Sequence, residues 1–223
     1  MYKKSRPKRS HLSEDKFRRI IRCFSLDLTA NDTAGLLHLN RHTVNRYYSH
    51  FRSLILEETN KQEKLSGEVE VDESYFGPTR VKGKRGRGAG KKTVVFGILK
   101  RQGRVHTFIV PNCKIPTIVP IIDDKVTDGS RIYSDDLGTY RFLFLKYDHR
   151  VVYHGRSQFA FKENHINGIE SFWAYAKLRI RKFKGIRKDK FLLYLKESEW
   201  RYNNRHNNLT KELLKLIHKS SVN

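Results

Sequence analysis

Apolar residues recur at helical spacing through the first quarter of the chain. Phe17, Ile20, Ile21 and Phe24 keep this rhythm and predict an amphipathic helix. Thr29 is placed to cap a second, short helix carrying Ala34, Leu36 and Leu37. The turn His38-Leu39-Asn40 leads to a third helix over Arg41–Leu56, with Asn40 as its N-cap. Val44, Tyr47, Tyr48, Phe51 and Leu54 line its apolar side. Helix, short helix, turn and helix over residues 12–56 is the order of a helix-turn-helix domain, although a plain three-helix bundle with a polar face shares the pattern. Residues 57–66 are polar and charged and read as a linker.

Beyond the linker the period shortens to that of a strand. Val69 and Val71 alternate with Glu68, Glu70 and Asp72. Thr93 to Leu99 is apolar throughout, as in a central strand, and Val105–Val110 follows across a turn containing Gly103, so the two form a hairpin. Residues 114–127, with Pro116 and Pro120, read as a short or broken helix. Ile132-Tyr133-Ser134 is a fourth strand ending at Asp135. A helix over 137–145, a strand over 150–153 and helices over 166–181 and 190–203 complete the pattern. Phe172, Trp173 and Trp200 read as core. This order predicts an α/β domain over 67–223, a mixed sheet with flanking helices of the ribonuclease-H-like kind.

Charge narrows the function. Lys and Arg number 46 against 23 Asp and Glu, a formal net charge of +23. A field of that sign attracts polyanions, and its spread along the chain favours nucleic acid over an anionic membrane surface. No apolar stretch reaches the ~18 residues of a spanning helix, and no secretory signal opens the chain. Residues 1–11 form a basic arm with Lys3, Lys4, Arg6, Lys8 and Arg9. Arg41, His42, Asn45 and Arg46, at the start of the third helix, suit base edges and phosphates. Gly77 to Lys92 holds five glycines among Arg80, Lys82, Lys84, Arg85, Arg87, Lys91 and Lys92. It lacks the Walker spacing of a nucleotide loop and reads as a DNA-contacting hairpin tip. Cys23 and Cys113 form no CxxC, which excludes a zinc ribbon and points to ordinary thiols in a reducing compartment. The expected location is cytoplasmic and nucleoid-associated.

Several motifs share a family resemblance. Val69-Glu70-Val71-Asp72-Glu73-Ser74-Tyr75-Phe76-Gly77 resembles the first-aspartate motif of DDE-type insertion-sequence transposases, in the branch related to the Merlin elements. Arg85-Gly86-Arg87-Gly88 followed by Lys92 to Arg101 is similar to that branch's second strand and the approach to it. Ile132-Tyr133-Ser134-Asp135, with Tyr140 five residues on, resembles its second-aspartate motif. His165 to Trp173 with Lys177 resembles the third, and Glu199-Trp200-Arg201-Tyr202-Asn203 with Arg205 the closing helix. The matches run in order over residues 67–206.

The resemblance implies a two-metal-dependent polynucleotidyl transferase with Asp72, Asp135 and Glu170 as catalytic and metal-binding residues. Asp136 and Asn167 remain alternates. Asp136 and Leu137 stand where the family has glycine and an aromatic, and some relatives carry asparagine as the third ligand. Asn167 and Glu170 share one helix face. Asp135 and Glu170 are separated by 34 residues, an interval typical of that family. Converging carboxylates repel one another unless a hard cation binds them, so Mg²⁺, with Mn²⁺ as a substitute, is the expected cofactor. Lys177, two turns beyond Glu170, can hold a phosphate beside the site; a solvated lysine is the plain alternative. The expected partners are double-stranded DNA, as terminal inverted repeats and target, and further copies of the chain in a dimer or larger assembly. A catalytically inactive DNA-binding regulator and a nuclease on the same fold are the rival readings.

Overall fold

A computed structural model describes residues 12–61, 63–77, 92–136, 138–152 and 166–222. It divides into two compact units. One takes the chain up to residue 62 together with 180–223; the other is residues 63–179.

The described residues of the first unit form helices and the turns between them. Helix α1 spans Glu14–Ser25, α2 Ala30–Leu37 and α3 Arg41–Thr59. The caps follow local chemistry. The side chain of Thr29 accepts from the Asp32 N–H, and that of Asn40 accepts from the His42 N–H at 2.7 Å, as expected from the sequence. The predicted stripes Phe17, Ile20, Ile21, Phe24 and Val44, Tyr47, Tyr48, Phe51, Leu54 all lie in one core.

Two further helices complete this unit, α6 at Phe191–Asn203 and α7 at Leu209–Val222. Trp200, Leu213 and Ile217 enter the same core as α1–α3. This corrects the sequence-based boundary, which gave residues 67–223 to the α/β part. It also corrects the linker, since α3 continues to Thr59. The reason is a buried charge network. Arg52 on α3 donates to Glu197 on α6 at 2.7 Å, and Arg201 donates to the same carboxylate at 2.9 Å. Arg201 also donates to the carbonyls of Phe24 and Ser25 at the end of α1.

The second unit is a five-stranded mixed sheet: β1 Glu68–Phe76, β2 Thr93–Lys100, β3 Val105–Val110, β4 Arg131–Asp135 and β5 Asp148–Val152. The spatial order is β3-β2-β1-β4-β5. β1, β2 and β3 are antiparallel, whereas β4 runs parallel to β1 and β5 parallel to β4. α4, Ile115–Lys125, forms despite Pro120 and packs Ile118 and Ile122 on the face carrying Val69, Val71, Phe96 and Ile98. The predicted helix over 137–145 is a 3₁₀ helix at Gly138–Leu145. In a three-residue turn Tyr140 and Leu143 align, and both are fully buried against that same face. α5, Asn167–Arg181, covers the opposite face of β1 and β2. Leu65, expected in the linker, is buried and bridges to Val126.

Candidate active site

β1 lies at the centre of the sheet, and its side chains alternate between two covered faces. Glu70, Asp72 and Phe76 point to the α5 side. Glu73 points to the other, where its carboxylate accepts from the Tyr140 hydroxyl at 3.0 Å. The parallel register of β1 and β4 runs from Glu68↔Arg131 to Glu70↔Tyr133. Two residues past the last paired position of each strand stand Asp72 and Asp135, near enough for the charge of Asp135 to act on Asp72.

Asp72 is held well above the usual carboxylate range, at about 7. Burial is the main cause, followed by the charge of Glu73, with Asp135 adding to it. The Trp173 indole N–H donates to Asp72 Oδ2 at 3.0 Å and orients that carboxylate. An oxygen-preferring divalent cation would supply the positive charge these acids lack, so the chemistry of the pair fits Mg²⁺ or Mn²⁺.

α5 is fixed over the pair by two contacts that the motif reading did not single out. Glu70, only 1% exposed, accepts from the Ile169 N–H at 2.8 Å and so caps the first turn of α5. Its other oxygen accepts from Arg101 at 3.1 Å. A side chain at Gly168 would meet this carboxylate at 2.8 Å. The second contact is at Gly97, the cross-strand neighbour of Asp72. A Cβ there would lie 2.5 Å from Trp173 Cζ2. Gly97→Ala is therefore expected to push the indole off Asp72 and destabilise the unit by about 1–3 kcal/mol. A lower urea midpoint and a shifted Trp173 emission are the readouts; an unchanged midpoint would contradict the packing.

The other predicted residues are placed as follows. Glu170 lies in the first turn of α5 and is exposed, as are Asn167 on the same helix and Asp136 just after β4. Among the described residues no three His, Cys, Asp or Glu side chains gather closely enough to hold one ion. The structure thus brings together Asp72 and Asp135 but does not bring Glu170 into one ligand group with them. Lys177 is exposed on α5, with Nζ 5.9 Å from the centre of the Phe76 ring at the end of β1. Lys92 is exposed just before β2, while Arg85, Arg87 and Lys91 lie outside the described residues. In the helical unit Arg41, His42 and Arg46 are exposed at the start of α3, and Asn45 is half-buried. Cys23 is buried and Cys113 half-buried, and the two are not joined in a disulfide. No helix among the described residues is long and apolar enough to cross a membrane.

Residues 64–203, more than half of the chain, match the ISXO2-like transposase domain, and the chain belongs to that family. An uncharacterized transposase-like protein of Haemophilus influenzae (strain ATCC 51907 / DSM 11121 / KW20 / Rd) is 41% identical over 120 residues, covering 53% of this chain and 97% of the relative. Two solved structures align with 96% of this chain and 82% of theirs: the Mos1 strand transfer complex at 13% identity, and a pre-cleavage Mos1 transpososome at 11%. Both have a TM-score of 0.28.

Proposed function

We propose that this chain is an active DNA transposase with a ribonuclease-H-like catalytic unit, of the branch related to the Merlin elements, acting in the cytoplasm at the nucleoid. The observation that carries the reading is that Asp72 and Asp135 lie on neighbouring parallel strands, β1 and β4, with the charge of one acting on the other, in a chain of a transposase family.

In this reading residues 12–59 form a helix-turn-helix module for terminal inverted repeats, with Arg41, His42, Asn45 and Arg46 facing the DNA. Its caps at Thr29 and Asn40 support the helix starts that the motif needs. Asp72 and Asp135 would hold Mg²⁺ or Mn²⁺, and Glu170, which stands outside their group in the first turn of α5, would be the third ligand. Bound there, the metal supplies Lewis acidity toward a phosphodiester. Trp173 keeps the Asp72 carboxylate aimed, and Glu70 fixes the turn of α5 that carries Glu170. Lys177 and Lys92 attract the DNA backbone, and the net charge of +23 makes binding fall steeply with salt. Water attack at the element end frees a 3′-hydroxyl, which then attacks target DNA. Joining two ends requires a dimer or larger assembly.

The test is strand cleavage and joining on a duplex carrying the element's own ends, with Mg²⁺ or with EDTA. Joined product is expected from the wild type only with metal. Asp72→Asn, Asp135→Asn and Glu170→Gln should each lower it at least about 100-fold while DNA binding survives. Wild-type protein that binds the ends and never cuts would establish the inactive regulator instead. Cleavage without joining would establish the nuclease.

A further inference from the structure

A groove of about 600 Å³ opens in the helical unit beside the start of α3. That volume lies within the range of roughly 300–1,000 Å³ typical of small-molecule sites. One side is the first turn of α2, with Thr29, Ala30 and Asn31. A second is α3, with Arg41 and Asn45. The third is the segment Lys182–Gly185 that follows α5. Buried Tyr48 and Arg52 form the floor beside half-buried Tyr194.

The lining is cationic and aromatic together. Arg52 is committed to Glu197, and Lys182 to the Asp27 carbonyl and carboxylate. Arg41 and Lys184 are exposed and remain to face an anion, at the positive end of α2. Asp32 also borders the groove, but its carboxylate accepts from the Thr29 hydroxyl at 2.6 Å. Phe183 meets Tyr194 edge-on with ring centres 4.8 Å apart, and the Arg52 guanidinium lies 3.9 Å over the Tyr194 ring. Lys184 and Gly185 both have positive φ, 49° and 112°, so a tight turn presents Phe183 and Lys184 together. Inorganic phosphate needs no ring surface, and the bases of a paired duplex are stacked on one another and offer no open face to a ring. Interleaved cations and rings suit an unstacked nucleotide.

We propose that this groove binds one unpaired nucleotide of DNA. The phosphate lies on Arg41 and Lys184, the base stacks against the Phe183–Tyr194 wall, and the Asn45 amide meets the base edge. The proposal rests on the reading of the chain as a DNA-acting protein.

The test compares binding of two labelled oligomers by the full chain: a short single-stranded DNA and an abasic phosphodiester strand of the same length and charge. The base-bearing strand is expected to bind about 5- to 100-fold tighter. Phe183→Ala should abolish that preference with little change in abasic binding, and Phe183→Trp should keep it. Lys184→Ala should weaken both strands alike. Equal binding of the two strands, binding of neither, or a preference that survives Phe183→Ala in protein of unchanged circular dichroism would each overturn the proposal. The strand-joining assay judges the transposase reading separately. Joining without a base preference removes the groove alone; a base preference without joining removes the catalytic reading alone.

Discussion

Replacing Glu197 with alanine is expected to destabilise the helical unit by about 3–5 kcal/mol. The Glu197 carboxylate is 1% exposed and holds two guanidinium groups, Arg52 at 5% exposure and Arg201 at 3%. Without it, two buried cations lose their shared partner, and the field of the remaining lysines and arginines offers no substitute. The chain has two tryptophans, one in each unit: Trp200 in the helical core and Trp173 over the sheet. In a Trp173→Phe background, Trp200 fluorescence in urea reports the helical unit directly. The double variant Arg52→Met/Glu197→Met should lose less than the sum of the single changes, because it removes charge and counter-charge together. Strict additivity would mean that the ion pair is not the clamp that joins α6 to α3.

The second large effect is a gain. In metal-free protein, Asp72→Asn is expected to stabilise the α/β unit at pH 8 by about 2–4 kcal/mol, and to have almost no effect near pH 4. Asp72 binds its proton more tightly when folded, at about 7, than its ordinary value of 3.8. The stability it contributes is complete below 3.8 and is lost as pH rises through 7. The asparagine carries no charge to desolvate and still accepts from the Trp173 indole. Urea unfolding followed by Trp173 emission, in a Trp200→Phe background with EDTA, measures the difference. A variant less stable than wild type at pH 8 would show that burial does not oppose the Asp72 charge.

What the sequence disclosed was mostly local. Thr29 and Asn40 cap their helices through contacts two or three residues away, and both were legible. The apolar run of β2 and the alternation of β1 gave the strands. The adjacency of Asp72 and Asp135 depends on the parallel pairing of strands far apart in the chain; only the resemblance of the motifs hinted at it. Glu70 looked like one of the polar positions of an alternating strand. It is buried where it accepts from the Ile169 N–H, 99 residues away, so no local pattern marks it. Gly97 read as part of an apolar run, and nothing local marks it as the place where Trp173 reaches the sheet. The domain boundary failed for the same reason, since the contact that recruits α6, Arg52 to Glu197, spans 145 residues.

The most direct test of the carboxylate pair is a Mg²⁺ titration followed by the emission of Trp173, whose indole N–H is bonded to Asp72. The Trp200→Phe protein should give a saturable change at pH 8, and the apparent affinity should weaken below pH 7 as protons compete for Asp72. Asp72→Asn and Asp135→Asn should abolish the response, and Asp136→Asn should leave it. A wild-type protein that gives no response, or a response that survives Asp135→Asn, would contradict the assignment of the metal to these two strands.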